Sequence, residues 1–212
     1  MPRHFAPRAT LLPWVARLAV LALALAIAGC ATRLPAPETR AWTPHQQALL
    51  AMRHWQLEGK LGYRSPEQNG SALIRWTQNN DAFDLHLSGP FGAGATRISG
   101  DGQLAVLRQQ GRDDIRAPSA GELTEWLFGW ELPVAQMTAW VKGIPAPEPR
   151  AAQVTLNATG QLERLEQAGW QLQFDRFHPV GAQVLPGRIK GTRGDVAFTL
   201  VIKAWQPMDG TP

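Results

Sequence analysis

Apolar and polar residues alternate along most of the chain after residue 54, and this period of two is typical of half-buried β-strands. In the first such segment, Trp55, Leu57, Leu61 and Tyr63 alternate with polar or small neighbours. The same alternation predicts strands over residues 71–78, 83–87, 95–99, 103–108, 154–156, 161–166, 170–175, 183–190 and 196–204. Pro186 cannot donate a backbone hydrogen bond, so we expect residues 183–190 at a sheet edge. Turn-forming residues about every ten positions favour an antiparallel meander.

Three segments have helical periodicity instead. Thr43 as a cap and Pro44 as the first residue predict a helix before the first strand. Ser119 and Glu122 have the spacing of a capping box and begin a second helix, and Pro133 begins a third. The apolar positions of these two later helices are Leu123, Trp126, Leu127 and Trp130, then Val134, Met137, Trp140 and Val141.

The N-terminus has the pattern of a secretion signal. Arg3, Arg8 and Arg17 form a basic region, and residues 18–28 form an apolar segment shorter than the roughly 20 residues that span a bilayer. The segment ends on Cys30, the only cysteine in the chain, and resembles a bacterial lipoprotein lipobox. This resemblance implies cleavage before Cys30 and a covalent lipid on it. The alternative is an ordinary signal peptide with a chance cysteine.

These patterns predict four regions. Residues 1–29 are the cleaved signal, 30–44 a lipidated N-terminus and proline-rich, semi-extended tether, 45–206 one β domain, and 207–212 a tail. Ala31, rather than an aspartate, follows the lipidated cysteine and is compatible with the outer membrane. Cleavage removes three arginines from a net charge of +4, which leaves a nearly neutral chain and gives no support for nucleic-acid binding.

No residue pattern in the sequence indicates an enzyme active site. The histidines of the mature chain are scattered without metal-ligand spacing, no serine lies in a Gly-x-Ser-x-Gly motif, and residues 89–94 lack the pattern of a phosphate-binding loop. We therefore expect no catalytic residue, no metal and no cofactor besides the lipid on Cys30.

Two features leave alternatives open. The apolar faces of the strands form either a solid core or the wall of a cavity, and periodicity does not distinguish these. No charge occurs from Leu87 to Thr96, where Phe91 lies between Pro90 and Gly92. Phe91 either folds back against the protein or stays exposed as an apolar wedge for a lipid environment.

The chain resembles the LolB family of outer-membrane lipoproteins through several motifs. The resemblance runs through the lipobox, Trp55-x-Leu57-x-Gly59-Lys60-Leu61, Ile74-Arg75-Trp76, Leu87-Ser88-Gly89-Pro90-Phe91-Gly92, Leu123 with Trp126-Leu127, Trp140-Val141-x-Gly143-Ile144-Pro145, Gly169-Trp170-Gln171-Leu172, Leu185-Pro186 and Leu200-x-Ile202-x-x-Trp205.

The resemblance implies an unclosed antiparallel β-barrel around a hydrophobic cavity, with helices as a lid. It also implies a monomer, anchored in the outer membrane and facing the periplasm, that accepts acylated lipoproteins from the carrier LolA and inserts them into the inner leaflet without nucleotide. Phe91, flanked by Pro90 and Gly92, holds the place of the apolar residue, usually Leu, of the family's membrane-insertion loop. For the cavity lining we select Trp55, Leu61, Ile74, Trp76, Phe83, Leu85, Trp126 and Trp140.

Two other functions fit the sequence. One is a structural or assembly lipoprotein whose solid-core β domain docks on a protein partner. The other is a lipid-modifying enzyme, which would need carboxylate or histidine side chains brought together by the fold.

Overall fold

The alternating segments form strands in a computed structural model that describes residues 37–89 and 94–208. The strands are β1 (His54–Arg64), β2 (Asn69–Asn79), β3 (Ala82–Ser88), β4 (Thr96–Gly100), β5 (Ala105–Gln109), β6 (Ile115–Ala117), β7 (Gln153–Leu156), β8 (Leu162–Gln167), β9 (Trp170–Asp175), β10 (His178–Val180), β11 (Gln183–Leu185), β12 (Arg188–Arg193) and β13 (Val196–Pro207). The helices are α1 (Pro37–Ala51), α2 (Ala120–Phe128) and α3 (Val134–Trp140).

Eleven of these strands form one sheet in the order β6-β5-β4-β3-β2-β1-β13-β12-β9-β8-β7. The neighbours pair antiparallel, and the order runs from β6 to β7 without returning to β6. Strands β10 and β11 form a separate two-stranded ribbon. The predicted fold class, a mainly β protein with an unclosed antiparallel sheet and a few helices, is confirmed.

The inner face of the sheet holds the hydrophobic core. In β1 the side chains of Trp55, Leu57 and Leu61 are almost fully buried, whereas Lys60 between them is exposed. The buried apolar residues of the described chain all lie between Leu49 and Ile202. Residues 38–212 also form one unit by their contacts. A fragment that begins at residue 31 therefore carries the whole core, and we expect it to fold without the signal segment.

A bulge in β1 requires a glycine. The pairing of β1 with β13 shifts register between Glu58 and Gly59. A Cβ atom at position 59 would lie 2.3 Å from the carbonyl oxygen of Val201, so any larger residue would push the two strands apart. Bulges increase the local twist of a strand, which helps a sheet of this width to curve around its core.

Helix α1 begins earlier than predicted. It starts at Pro37 rather than at Pro44, so the last part of the segment that we expected to be a semi-extended tether is helical. A proline is tolerated in the first turn because no intrahelical partner needs its missing N–H. Pro44 lies inside the helix, where it leaves the carbonyl of the preceding turn without a donor.

Two predictions about the strands are also wrong. Pro186 does not mark an edge strand: it interrupts the segment, so that β11 ends at Leu185 and β12 begins at Arg188 between β9 and β13. Strands β6 and β10 were not predicted, because three residues are too short for a period of two to be recognised.

Helices α2 and α3 lie where the sequence predicts them, but the phase of α2 differs. Its buried face comprises Leu123, Thr124 and Phe128 together with the small residues of its first turn. Trp126 is 53% exposed, so the expectation that it shares the apolar face of Leu123 is wrong. Each residue adds about 100° around a helix, which carries position 126 away from the face that holds 124 and 128.

Candidate functional site

A largely apolar cleft of about 630 Å³ opens at one end of the sheet. Its wall combines the end of α1, the turns after β2 and β4, and the beginnings of α2 and α3. The large apolar side chains that line it are Leu50, Met52, Trp55, Phe83, Leu132 and Val134. The ring of Trp55 packs 5.2 Å from that of Trp76, which stiffens the inner wall.

The cleft and the predicted insertion loop belong to opposite ends of the same strands. Strand β3 runs for seven residues from Ala82, beside the cleft, to Ser88. At about 3.3 Å per residue its ends are roughly 20 Å apart. Ser88 pairs with Leu73, and Leu87 pairs with Thr96 at the start of β4. Residues 88 and 96 therefore fix the two ends of the loop on the side away from the cleft.

Helix α2 connects the two ends. Ser119 caps its N-terminus at the cleft, where the Ser119 hydroxyl accepts a hydrogen bond from the Glu122 N–H at 3.2 Å. The hydroxyl of Thr124 accepts a bond from the Leu132 N–H at 2.9 Å and so holds the segment before α3 against α2. At the other end of the helix, the Gln68 side chain donates to the Leu127 carbonyl at 3.1 Å.

Lys142 is a buried cation at the base of the cleft. Its side chain is 6% exposed, and its Nζ donates to the carbonyl oxygen of Met52 at 3.2 Å. Burial, and to a lesser extent the positive charge of Arg53, lower the pKa of Lys142 to about 8. Among the described residues, no carboxylate forms an ion pair with Lys142.

Gln167 is a second buried polar side chain, on the other side of α3 from Lys142. Its side chain is 2% exposed. Its Oε1 accepts from Trp140 Nε1 at 2.8 Å and from the Ala146 N–H at 2.9 Å. Its Nε2 donates to the carbonyl oxygens of Ala146 and Pro149 at 2.8 and 2.5 Å. This side chain therefore fastens the segment after α3 to strand β8.

The structure separates the residues that we selected for the cavity lining into three groups. Trp55 and Phe83 line the cleft. Trp126 lies on the exposed side of α2. The others are packed in the buried core: Leu61, Ile74, Trp76, Leu85 and Trp140. Contact of any of these residues with a ligand stays a prediction.

The predicted lipidation site and the predicted insertion loop belong to parts of the chain that the structure does not describe. Cys30 and the three loop residues Pro90, Phe91 and Gly92 lie outside the described residues. Their roles stay predictions.

The described part of the chain has neither a cluster of metal-ligating side chains nor a helix that could span a membrane. It contains no group of three or more His, Cys, Asp or Glu side chains placed to hold a metal ion. None of its helices is both long enough and apolar enough to cross a bilayer.

Sequence reasoning missed the buried polar side chains of Gln78 and Lys142 at the cleft and of Gln167 beside it. Lys142 did leave a signal, because it is the one charge in the otherwise uncharged segment 132–147. A lone charge among apolar residues next to a helix end is a candidate for a buried functional group. Gln167 left no comparable signal, because it directly follows Glu166 at the end of a strand and resembles any exposed strand residue.

Comparison with known proteins identifies the family. The model of the family described as "Outer membrane lipoprotein LolB" matches residues 53–205. An outer-membrane lipoprotein LolB from Stutzerimonas stutzeri is 40% identical over 191 residues, which cover 87% of this chain and 92% of that protein. Another, from Pseudomonas paraeruginosa, is 40% identical over 196 residues, which cover 90% and 95% of the two chains.

A solved structure supports the fold independently. The crystal structure of a LolA superfamily protein from Nitrosomonas europaea matches with a TM-score of 0.50 at 10% identity, over 78% of this chain and 94% of that one. At this identity the likeness concerns the fold alone. By its family model and its relatives, the chain is a lipid-anchored outer-membrane protein and not an enzyme, as predicted, and it belongs to the LolB family of outer-membrane lipoproteins.

Proposed function

We propose that this protein accepts acylated lipoproteins from the periplasmic carrier LolA and inserts them into the inner leaflet of the outer membrane. The observation that carries the proposal is the largely apolar cleft between the helices and one end of an unclosed sheet. Its volume of about 630 Å³ lies in the range of sites that take small, mainly apolar ligands. Acyl chains are the apolar part of such a cargo, and the cleft offers them apolar side chains to pack against.

The energetics of transfer explain why such a surface is needed. Each methylene of an acyl chain loses roughly 0.8 kcal/mol when it moves from an apolar environment into water. A cargo with several chains therefore passes from one apolar site to the next. In our proposal the cleft holds the chains more tightly than the carrier does, and the bilayer more tightly still. Transfer then runs downhill, without nucleotide and without a cofactor other than the lipid on Cys30.

Delivery uses the opposite end of the domain. In our proposal the lipid on Cys30 anchors a monomer at the inner leaflet with its domain facing the periplasm. Phe91, between Pro90 and Gly92, enters the leaflet and disturbs lipid packing where the cargo is released. The strand ends at residues 88 and 96, between which Phe91 stands in the sequence, lie on the side away from the cleft, and this supports a separate membrane contact.

A transfer assay tests the acceptor role. The fragment 31–212, which carries the whole core, is mixed with a lipoprotein preloaded on LolA, and the cargo on each protein is measured without nucleotide. We expect the cargo to move to the fragment. If circular dichroism shows a folded fragment and the cargo stays on LolA, a structural lipoprotein that docks on a protein partner becomes the better explanation.

A variant separates acceptance from insertion. A charged residue near the bilayer centre costs about 3 kcal/mol, so Phe91→Glu should slow insertion into vesicles by roughly 100-fold and leave uptake from LolA unchanged. Val154→Glu is the matched control, because it places the same charge at an exposed apolar position of edge strand β7. Normal insertion by Phe91→Glu would contradict the role of the loop.

A further inference from the structure

We propose that Lys142, assisted by Arg53, forms a polar subsite at the base of the cleft that binds the ester carbonyl oxygens of the diacylglyceryl group on an acylated cysteine. This inference rests on the proposed function and adds to it. An apolar cleft explains how acyl chains are held. The subsite explains how the polar glyceryl ester group that joins two of these chains is positioned.

The first argument is that Lys142 has unused donors. A lysine ammonium has three N–H donors. One of them is used, in the 3.2 Å bond to the carbonyl oxygen of Met52. A charge that is 6% exposed gains little from bulk water, and burying a charge without partners is costly. The remaining donors of Lys142 border the cleft, so an acceptor brought by a ligand would satisfy them.

The second argument is that no carboxylate in the described part of the chain pairs with Lys142. Three carboxylates line the cleft, those of Asp81, Asp101 and Glu131. None of the ion pairs in the described chain joins one of them to Lys142. The Asp101 carboxylate is engaged elsewhere, because it accepts hydrogen bonds from the backbone N–H groups of Gln103 and Leu104 at 3.1 and 3.2 Å.

The third argument concerns what the site would recognise. The cleft contains two cations and three carboxylates, so a phosphate or a fatty-acid carboxylate would be attracted at its base and repelled around it. A neutral group with several acceptor oxygens avoids this conflict. The diacylglyceryl group of an acylated cysteine is neutral and carries two ester carbonyls where its chains meet. Its chains can then lie against Trp55, Phe83 and Val134.

The test compares two ligands that differ only in these oxygens. One is a short peptide with an N-palmitoyl, S-dipalmitoylglyceryl cysteine, and the other is its dialkyl ether analogue, which lacks the ester carbonyls. Their dissociation constants for the fragment 31–212 are measured by intrinsic tryptophan fluorescence, to which Trp55 in the cleft wall contributes. We expect the wild-type fragment to bind the ester ligand more tightly than the ether.

Lys142→Met keeps an unbranched side chain, one atom shorter than that of lysine, and removes the donors. Because a hydrogen bond to a charged group changes an equilibrium by about 10- to 100-fold, we expect this loss for the ester ligand and no change for the ether. Lys142→Arg should retain most of the ester preference. Lys60→Met, which removes an exposed charge from strand β1, is the matched control and should change neither constant.

Several outcomes would overturn the subsite. If Lys142→Met weakens the binding of the ester and ether ligands equally, or weakens the binding of neither, Lys142 has a structural role. The proposed acceptor function then stands. If it weakens only the binding of phosphatidylglycerol, the site serves a phosphate and our assignment is wrong. If the wild type binds neither ligand, the proposed function fails together with the subsite. Should Lys142→Met not fold, Arg53→Gln at an exposed position must show a smaller loss confined to the ester ligand, or the proposal is rejected.

Discussion

The buried polar groups on the two sides of helix α3 differ in how completely they are hydrogen-bonded. On the side of strand β8, the side-chain amide of the neutral Gln167 is fully hydrogen-bonded. Its Oε1 accepts two hydrogen bonds and its Nε2 donates two. On the side of the cleft, the charged Lys142 has one hydrogen bond within the described residues, to the Met52 carbonyl. Both side chains are more than nine-tenths buried, so exposure does not explain the difference.

The difference agrees with our proposal that the side of Lys142 binds a ligand, whereas the side of Gln167 contributes to stability. A fully satisfied buried network holds one arrangement of its segments and leaves nothing for a ligand to bind. A buried charge with too few hydrogen-bond partners destabilises the protein without ligand. Such a charge is retained where a ligand supplies the missing partners. Four substitutions test this contrast, and they are ordered here by the size of the expected effect.

Gln167→Leu should have the largest effect on stability. The substitution leaves Trp140 Nε1 and the backbone N–H and carbonyl of Ala146 buried without partners, and it removes the donor to the carbonyl of the exposed Pro149. Since each such group costs about 1–3 kcal/mol, we expect the free energy of unfolding to fall by about 3–5 kcal/mol in urea denaturation. Gln171→Leu, at an exposed position of β9, is the control. Equal small effects for both variants would contradict the fastening role of Gln167.

Lys142→Met should instead change how stability depends on pH. The pKa of Lys142 is 10.5 in an unfolded chain and about 8 in the fold, so between these values the unfolded state binds more protons. Stability of the wild type should therefore rise by about 3 kcal/mol from pH 8 to 10.5 through this residue. Lys142→Met should lack this rise and be at least as stable as the wild type at pH 7.

The pH profiles of Lys142→Met and the wild type are compared by urea denaturation, with Lys60→Met as the control for the loss of an exposed charge. Parallel profiles for all three proteins would mean that Lys142 is not held in a desolvated position.

Gln78→Leu should have an intermediate effect. Gln78 is 5% exposed and lines the cleft, but unlike Lys142 it is satisfied: its Oε1 accepts from Trp76 Nε1 at 2.9 Å and its Nε2 donates to the Asn80 carbonyl at 2.7 Å. Removing both bonds should cost about 1–3 kcal/mol of unfolding free energy. If Gln78→Leu instead raised the stability in thermal or urea unfolding, a fully hydrogen-bonded group of the cleft would not contribute to stability either. The distinction between Gln78 and Lys142 would then be weaker.

Asp175→Asn should have the smallest effect. The Asp175 carboxylate is paired with Arg188 at the surface, where the Arg188 Nε lies 2.7 Å from Asp175 Oδ1. This hydrogen bond holds the pKa of Asp175 below its usual value, so its contribution is present near neutral pH and disappears as the pH falls through the lowered pKa. We expect a slight loss of stability at pH 7 and none in strong acid. A loss as large as that of Gln167→Leu would contradict the distinction between surface and buried groups.

The regular parts of the fold could be predicted because their signals are local. Trp55, Leu57 and Leu61 show their buried face by alternation alone, and Ser119 marks the start of α2 by a hydrogen bond to a residue three positions away. Pro186 misled the prediction because a proline can end a strand as readily as it can occupy an edge. The start of α1 was misplaced because both Pro37 and Pro44 are compatible with a first helical turn.

The polar part of the site could not be predicted because its contacts are distant in the sequence. Lys142 meets a carbonyl 90 positions away, and Gln167 meets a ring 27 positions away. Periodicity carries no information about which segments will cross. Trp126 shows the same limit on a smaller scale, because its apolar character did not reveal that α2 turns it toward solvent.

The gap between strands β6 and β7 has a consequence for the path by which a cargo enters. Both edges are short, with three and four residues, and the chain that joins them carries α2 and α3. A lipid chain attached to a folded protein has one free end, so a closed ring would admit it only by threading from a rim. Under the function proposed above, an open wall, whose two edges are not joined by hydrogen bonds, would let an acyl chain enter from the side while the attached protein remains outside.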